Sequence, residues 1–120
     1  MNLEQLFDLA PHGPDVFVGE GHEYPWGGLF GGHIVAQALR AAAYTVSPDL
    51  LPHSLRAYFI RRGDNTQPVR YEVDRIRDGK SFTTRRVVAR QQDGAILNLE
   101  ASFQVQEDSI NEQLVHPQPD

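Results

Sequence analysis

The chemistry open to this sequence begins at a glycine-rich turn. The stretch Gly27-Gly28-Leu29-Phe30-Gly31-Gly32 carries four glycines in six residues and passes directly into His33. Such a run must bend tightly or let another backbone come close. The segment after it has helical period, with Ile34, Ala38 and Ala42 four apart. The first amides of a helix have no intrahelical acceptor and sit at the positive end of its dipole. Gly31, Gly32 and His33 are therefore candidate donors to a developing negative charge. The plainer role, letting the chain turn into a helix, holds at the same time. His53, at the start of a strand expected to run beside the helix, could orient a water or a carboxylate, or be a structural strand-end histidine. His33 is open to the same two readings. His12, His22 and His116 have no metal-ligand spacing and read as surface residues. Cysteine is absent, which excludes disulfides, thiolate metal sites and a cysteine nucleophile. The segment from Gly31 to Val46 contains no aspartate or glutamate, so a carboxylate base on the helix is excluded as well.

The elements that must position these groups follow from periodicity. Asn2 to Leu9 reads as a short amphipathic helix stopped by Pro11 and Gly13-Pro14. Val16-Phe17-Val18 is a short strand, and a polar connector leads to Pro25-Trp26. Trp26 suits either a pocket mouth or a sheet edge. The long helix spans His33 to Val46, with His33, Gln37, Arg40 and Tyr44 as its polar stripe and Ser47-Pro48 as its stop. A second strand covers His53 to Ile60, followed by the charged loop Arg61 to Thr66. A third starts at Val69, with a bulge expected near Asp74-Arg75 where Ile76 breaks the alternation. Asp78-Gly79 and Asp93-Gly94 are hairpin signals. They bound strands at Ser81–Gln91 and Ala95–Gln106, the last with six apolar alternations, Ala95 to Val105. The three strands after Pro68 form an antiparallel meander whose apolar face only the long helix can cover. This is an α+β arrangement: a curved antiparallel sheet of five to six strands around one central helix. Its open edge calls for pairing with a second copy, as a dimer or in tandem. Residues 1–106 read as one domain and 107–120 as a polar tail or linker.

Bulk properties narrow the classes further. The formal charge of −5 argues against nucleic-acid binding, which leaves a net basic footprint. No apolar run approaches the ~20 residues that span a bilayer. Met1 to Leu6 shows no basic segment or signal core, so a cytoplasmic location is expected.

Five segments together carry a family resemblance. They are Phe30-Gly31-Gly32-His33-Ile34-Val35-Ala36-Gln37-Ala38-Leu39, His53-Ser54-Leu55-Arg56-Ala57-Tyr58-Phe59, Arg62-Gly63-Asp64, Arg77-Asp78-Gly79-Lys80-Ser81-Phe82 and Ala101-Ser102-Phe103-Gln104. In this order and spacing they resemble the N-terminal half of the acyl-CoA thioesterase II family, a double-hotdog enzyme. The resemblance implies a hotdog fold, hydrolysis of fatty acyl-CoA to free acid and coenzyme A, and a role in lipid metabolism. It implies no cofactor or metal, and pairing with a second hotdog as homodimer or covalent half. Within it, Gly31, Gly32, His33, Arg61 and Arg62 are expected at the substrate, with Arg85 and Arg86 as further phosphate candidates. The family's catalytic Asp, Thr and Gln lie in a C-terminal half that this sequence lacks. There the Asp precedes a His-Ser pair, and the corresponding residue in this chain is Pro52, before His53-Ser54. The remaining catalytic candidates are His53 and Asp64, the latter equally suited to capping its own turn. Glu100 is expected to point away from the helix. The alternative function is a non-catalytic acyl-CoA-binding or dimerisation hotdog.

Overall fold

The computed structural model describes residues 9–19, 30–64 and 66–105. The expected N-terminal helix up to Asp8, Trp26 and the tail after Val105 lie outside these residues. The element order is β1 (Ala10–Pro11), β2 (Val16–Gly19), α1 (Phe30–Ala43), β3 (Leu50–Phe59), β4 (Val69–Asp78), β5 (Phe82–Gln91) and β6 (Gly94–Val105). One antiparallel sheet has the spatial order β1-β2-β4-β5-β6-β3. The meander through β4, β5 and β6 is as the turn signals require. Gly94 sits at φ 118°, a conformation that disfavours any side chain. The expected bulge in β4 is present as a register shift between Asp74 and Arg77.

Three boundaries differ from the sequence reading. The helix starts three residues earlier, at Phe30, so Gly31 and Gly32 belong to its first turn rather than to the bend before it. It ends at Ala43, and a tight last turn follows: Thr45 N and Oγ1 both donate to Ala42 O, at 3.0 and 2.8 Å. β3 begins at Leu50 rather than His53, and His53 is the extra residue where its register against β6 shifts. The short β1 carries no sequence signal, since two residues have no period to read.

Ile34, Ala38, Ala41 and Ala42 of α1 pack on Val69, Tyr71, Val87, Leu97, Leu99 and Phe103. Ile96, expected on the polar face, is also buried, because the β5–β6 register shifts between Ala89 and Arg90. Leu55, Ala57 and Phe59 alternate along β3 as an apolar face would, which predicts burial against the helix, yet Phe59 is 55% exposed. It lies inward of β3, beside the helix start, where the ring is 3.4 Å from a Cβ placed on Gly31. Nearly all of β3 is exposed, Leu51, Leu55 and Tyr58 included.

The polar stripe of α1 divides. Arg40 and Tyr44 face solvent, whereas His33 and Gln37 are buried. Tyr71 Oη donates to Gln37 Oε1 at 2.5 Å, and burial pushes the Tyr71 phenol well above its ordinary pKa. The tip of Gln37 lies against Gly19, where any Cβ would collide with its carboxamide. Arg85 is 1% exposed and spends every donor on the fold. Its Nε donates to Thr45 Oγ1 at 2.7 Å, and Nη2 to Thr45 O at 3.0 Å and Asp78 Oδ1 at 2.7 Å. Nη1 donates to the carbonyls of Thr84 at 3.1 Å and Arg77 at 3.3 Å. It thus ties the negative end of α1 to the β4–β5 hairpin.

Two stability measurements check this arrangement. Leu99→Ala should cost about 2–5 kcal/mol in urea unfolding, as a packed core site does. Leu55→Ala, on the uncovered strand, should stay within about 0.5 kcal/mol. Equal losses would contradict a core that stops short of β3. Arg85→Met should cost about 1–3 kcal/mol for each buried carbonyl or hydroxyl left without its donor, whereas exposed Arg86→Met should be near neutral.

Candidate functional site at the helix start

Gly31 and Gly32 open α1, and no acidic residue stands in its first turn. A Cβ on Gly32 would meet nothing within 4 Å, so this face of the helix start is open to an approaching group. The dipole gives that turn partial positive charge, and no acidic residue of the turn itself compensates it. Phe59 and the loop after β3 border this end. Arg61 Nη1 donates to Asp93 O at 2.6 Å, which fastens the loop to the β5–β6 turn. Arg62 is exposed, and none of the ion pairs among the described residues involves it. His33 turns its ring into the protein rather than toward the open face.

Asp64 caps its own turn. Its Oδ1 accepts from Thr66 N at 2.9 Å and Thr66 Oγ1 at 2.6 Å, and Oδ2 from Gln67 Nε2 at 3.2 Å. The loop is braced further by Gln91, whose Oε1 accepts from Asp64 N and whose Nε2 donates to Asp64 O. The Thr66 hydroxyl, then the Thr66 amide, hold the Asp64 carboxyl below its ordinary value of 3.8. A carboxylate so engaged is a weak base.

His53 lies at the other end of the sheet. Its ring meets Phe82 edge-on, with centroids 6.1 Å apart. Phe82 begins the ten-residue β5 and Gln91, which holds Asp64, ends it. At about 3.3 Å per residue, His53 and Asp64 are roughly 30 Å apart along the strand direction. One chain therefore does not bring them together, and it places Asp64, not His53, at the helix-start end. Glu100 is exposed on the outer face, as expected. Arg85 is not available to a phosphate, for the donors described above are all taken; Arg86 is exposed on the outer face. Among the described residues no group of three His, Cys, Asp or Glu could hold a metal, and no helix is long and apolar enough to cross a membrane. The sequence reading missed the buried Gln37–Tyr71 pair. The available signal was Tyr71 itself, a hydroxyl between Val69 and Val73 on an inward strand face, which needs a buried acceptor.

The Asp64 cap has a pH signature. Its folded-state pKa is depressed, so the stability it contributes is present above the unfolded value of 3.8 and is lost as pH falls through the folded value. Side-chain carboxyl NMR should show Asp64 titrating below 3.8, and Thr66→Ala should move the midpoint back toward it. A midpoint at or above 3.8 in the parent chain would contradict the cap.

Comparison with known proteins bears on the fold and the family. The chain is 48% identical over 99 residues to human acyl-coenzyme A thioesterase 8, covering 82% of this chain and 31% of that protein. It is 37% identical over 117 residues to acyl-CoA thioesterase 2 of Haemophilus influenzae, covering 98% and 39%. The fold superimposes on the crystal structure of an acyl-CoA thioesterase II, TesB2, from Mycobacterium marinum with a TM-score of 0.79 and 39% identity, covering 89% of this chain and 39% of that one. The chain thus spans about a third of the length of the curated relatives it matches. One helix against a six-stranded antiparallel sheet is, as in those thioesterase neighbours, a hotdog fold. Residues 22–104 match the acyl-CoA thioesterase N-terminal domain family, and the chain belongs to that family.

Proposed function

We propose that this chain is the N-terminal hotdog of an acyl-CoA thioesterase, working in fatty-acid metabolism in the cytoplasm and hydrolysing fatty acyl-CoA when a second hotdog completes the site. The observation that carries this reading is the open start of α1 beside an uncovered strand. Gly31 and Gly32 present amides with no competing carboxylate, while exposed β3 leaves Phe59 next to them without a cover. In the reaction, water attacks the thioester carbonyl and a base takes its proton. The carbonyl oxygen gathers negative charge at the helix-start amides. The C–S bond then breaks, and the coenzyme A thiolate leaves and is protonated. Arg62, which is in no ion pair among the described residues, and Arg61 beside it are assigned to the phosphates of coenzyme A. His33 contributes its backbone amide, not its buried ring.

Among the described residues the base is missing. Asp64 is committed to its turn, Glu100 points outward, and His53 is at the far end of β3. A second hotdog, in the same polypeptide or in another, supplies the base and covers the β3 edge. The second reading, a non-catalytic acyl-CoA-binding hotdog, is favoured by that same absence.

Release of free thiol from a long-chain acyl-CoA separates them. The chain alone should turn over at least about 10²-fold more slowly than the chain with a complete C-terminal hotdog, the effect typical of a lost general base. Turnover of order 1 per second by the chain alone would contradict the need for a second hotdog. No turnover even with the C-terminal hotdog, but retained acyl-CoA binding, would select the non-catalytic reading.

A further inference from the structure

We infer that Phe59 decides which acyl groups the helix-start site accepts, admitting straight chains and disfavouring a branch on the carbon next to the thioester carbonyl. This role presupposes the thioesterase reading and adds to it a side chain that discriminates between substrates. The two glycines of the helix start differ. A Cβ on Gly32 would meet nothing within 4 Å, whereas one on Gly31 would lie 3.4 Å from Phe59 Cζ and 3.8 Å from Cε1. One face of the turn is thus open, and the other carries an aromatic wall.

The helix continues both faces. Residues four apart lie above one another, so Gly31 leads to Val35 and Leu39, both half-buried and packed against the core. Gly32 leads to half-buried Ala36 and exposed Arg40. The inward side of β3 matches the first of these. Leu55, Ala57 and Phe59 oppose Ala101, Leu99 and Leu97 and face inward, and Phe59 is the last of that row before Arg61-Arg62. More than half of its surface is free to meet an incoming group, at 55% exposed.

A thioester carbonyl has two substituents: an apolar acyl arm, and a sulfur arm that leads to the phosphates of coenzyme A. Apolar surface gains by leaving water, and charge loses by it. The acyl arm therefore goes to the Gly31–Phe59 side and the sulfur arm to the open Gly32 side. A carbonyl oxygen held by an amide stands about 3 Å from its nitrogen, and the first carbon of the acyl arm follows two bonds farther on. A methylene there packs against the edge of the ring. A branch on the same carbon needs volume that the ring occupies, which forces either the ring or the carbonyl out of place.

The test is hydrolysis of a straight-chain acyl-CoA and of its 2-methyl-branched counterpart by the chain together with a complete C-terminal hotdog, read as the ratio of the two kcat/KM values. The parent should favour the straight chain by about tenfold or more, the scale on which an apolar pocket resolves one methylene. Phe59→Ala should cut that preference by roughly tenfold, whereas Phe59→Tyr, which keeps the ring, should retain it. Gly31→Ala, whose methyl would stand at ordinary contact distance from the ring, should sharpen it. Circular dichroism should show parent-like folding in all three. A parent without preference, or a ratio that Phe59→Ala leaves unchanged, would overturn the inference and leave the thioesterase reading standing. Absence of straight-chain turnover by the parent assembly would overturn that reading and the role of Phe59 with it.

Discussion

A single helix is too narrow for the sheet it serves, and that constraint shapes the whole molecule. An α-helix with its side chains is about 10–12 Å across. Six strands at about 4.8 Å spacing are roughly 24 Å wide. The helix packs chiefly on β4, β5 and β6, so the core is full there and empty toward β3. The strand left over is apolar, long and exposed at the end of the sheet.

The helix is fixed in place by polar contacts at its middle and just past its C-terminal end, not by apolar packing alone. Small residues such as Ala38 and Ala41 let it lie close but give little shape to hold it. Orientation comes from the Tyr71–Gln37 hydrogen bond in the middle and from Arg85 on Thr45 at the end. A buried cation is tolerable because all its donors are satisfied and Asp78 lies within reach. Both contacts leave the opposite end of the helix, Gly31 and Gly32, free of side-chain demands.

Function divides along the same line. The chain supplies a place for negative charge and, next to it, a loop stiffened by Asp64, Gln91 and Arg61. None of the acidic side chains described above, Asp64 and Glu100, stands free beside it, which is why the proposed function turns to a second hotdog for the base.

Much was legible in the residues alone. The alternation from Leu97 to Phe103, the Asp-Gly turns and the helical period after Gly32 are local patterns, and local patterns determine elements and the meander. The five segments from Phe30 to Gln104, in their order and spacing, carried the family resemblance. Tertiary structure decided the rest, for physical reasons that no local pattern carries. A histidine and a glutamine on a helix are buried or exposed according to what the neighbouring sheet offers, and only Tyr71, thirty-four residues on, made Gln37 an interior residue. By sequence alone Arg85 is a phosphate candidate or a solvated strand charge, and it is neither, because Thr45 and Asp78, distant from it in sequence or set by a hairpin, take its donors. Phe59 alternated like a core residue, yet it is exposed because the width of a helix, not the period of a strand, sets where the core stops.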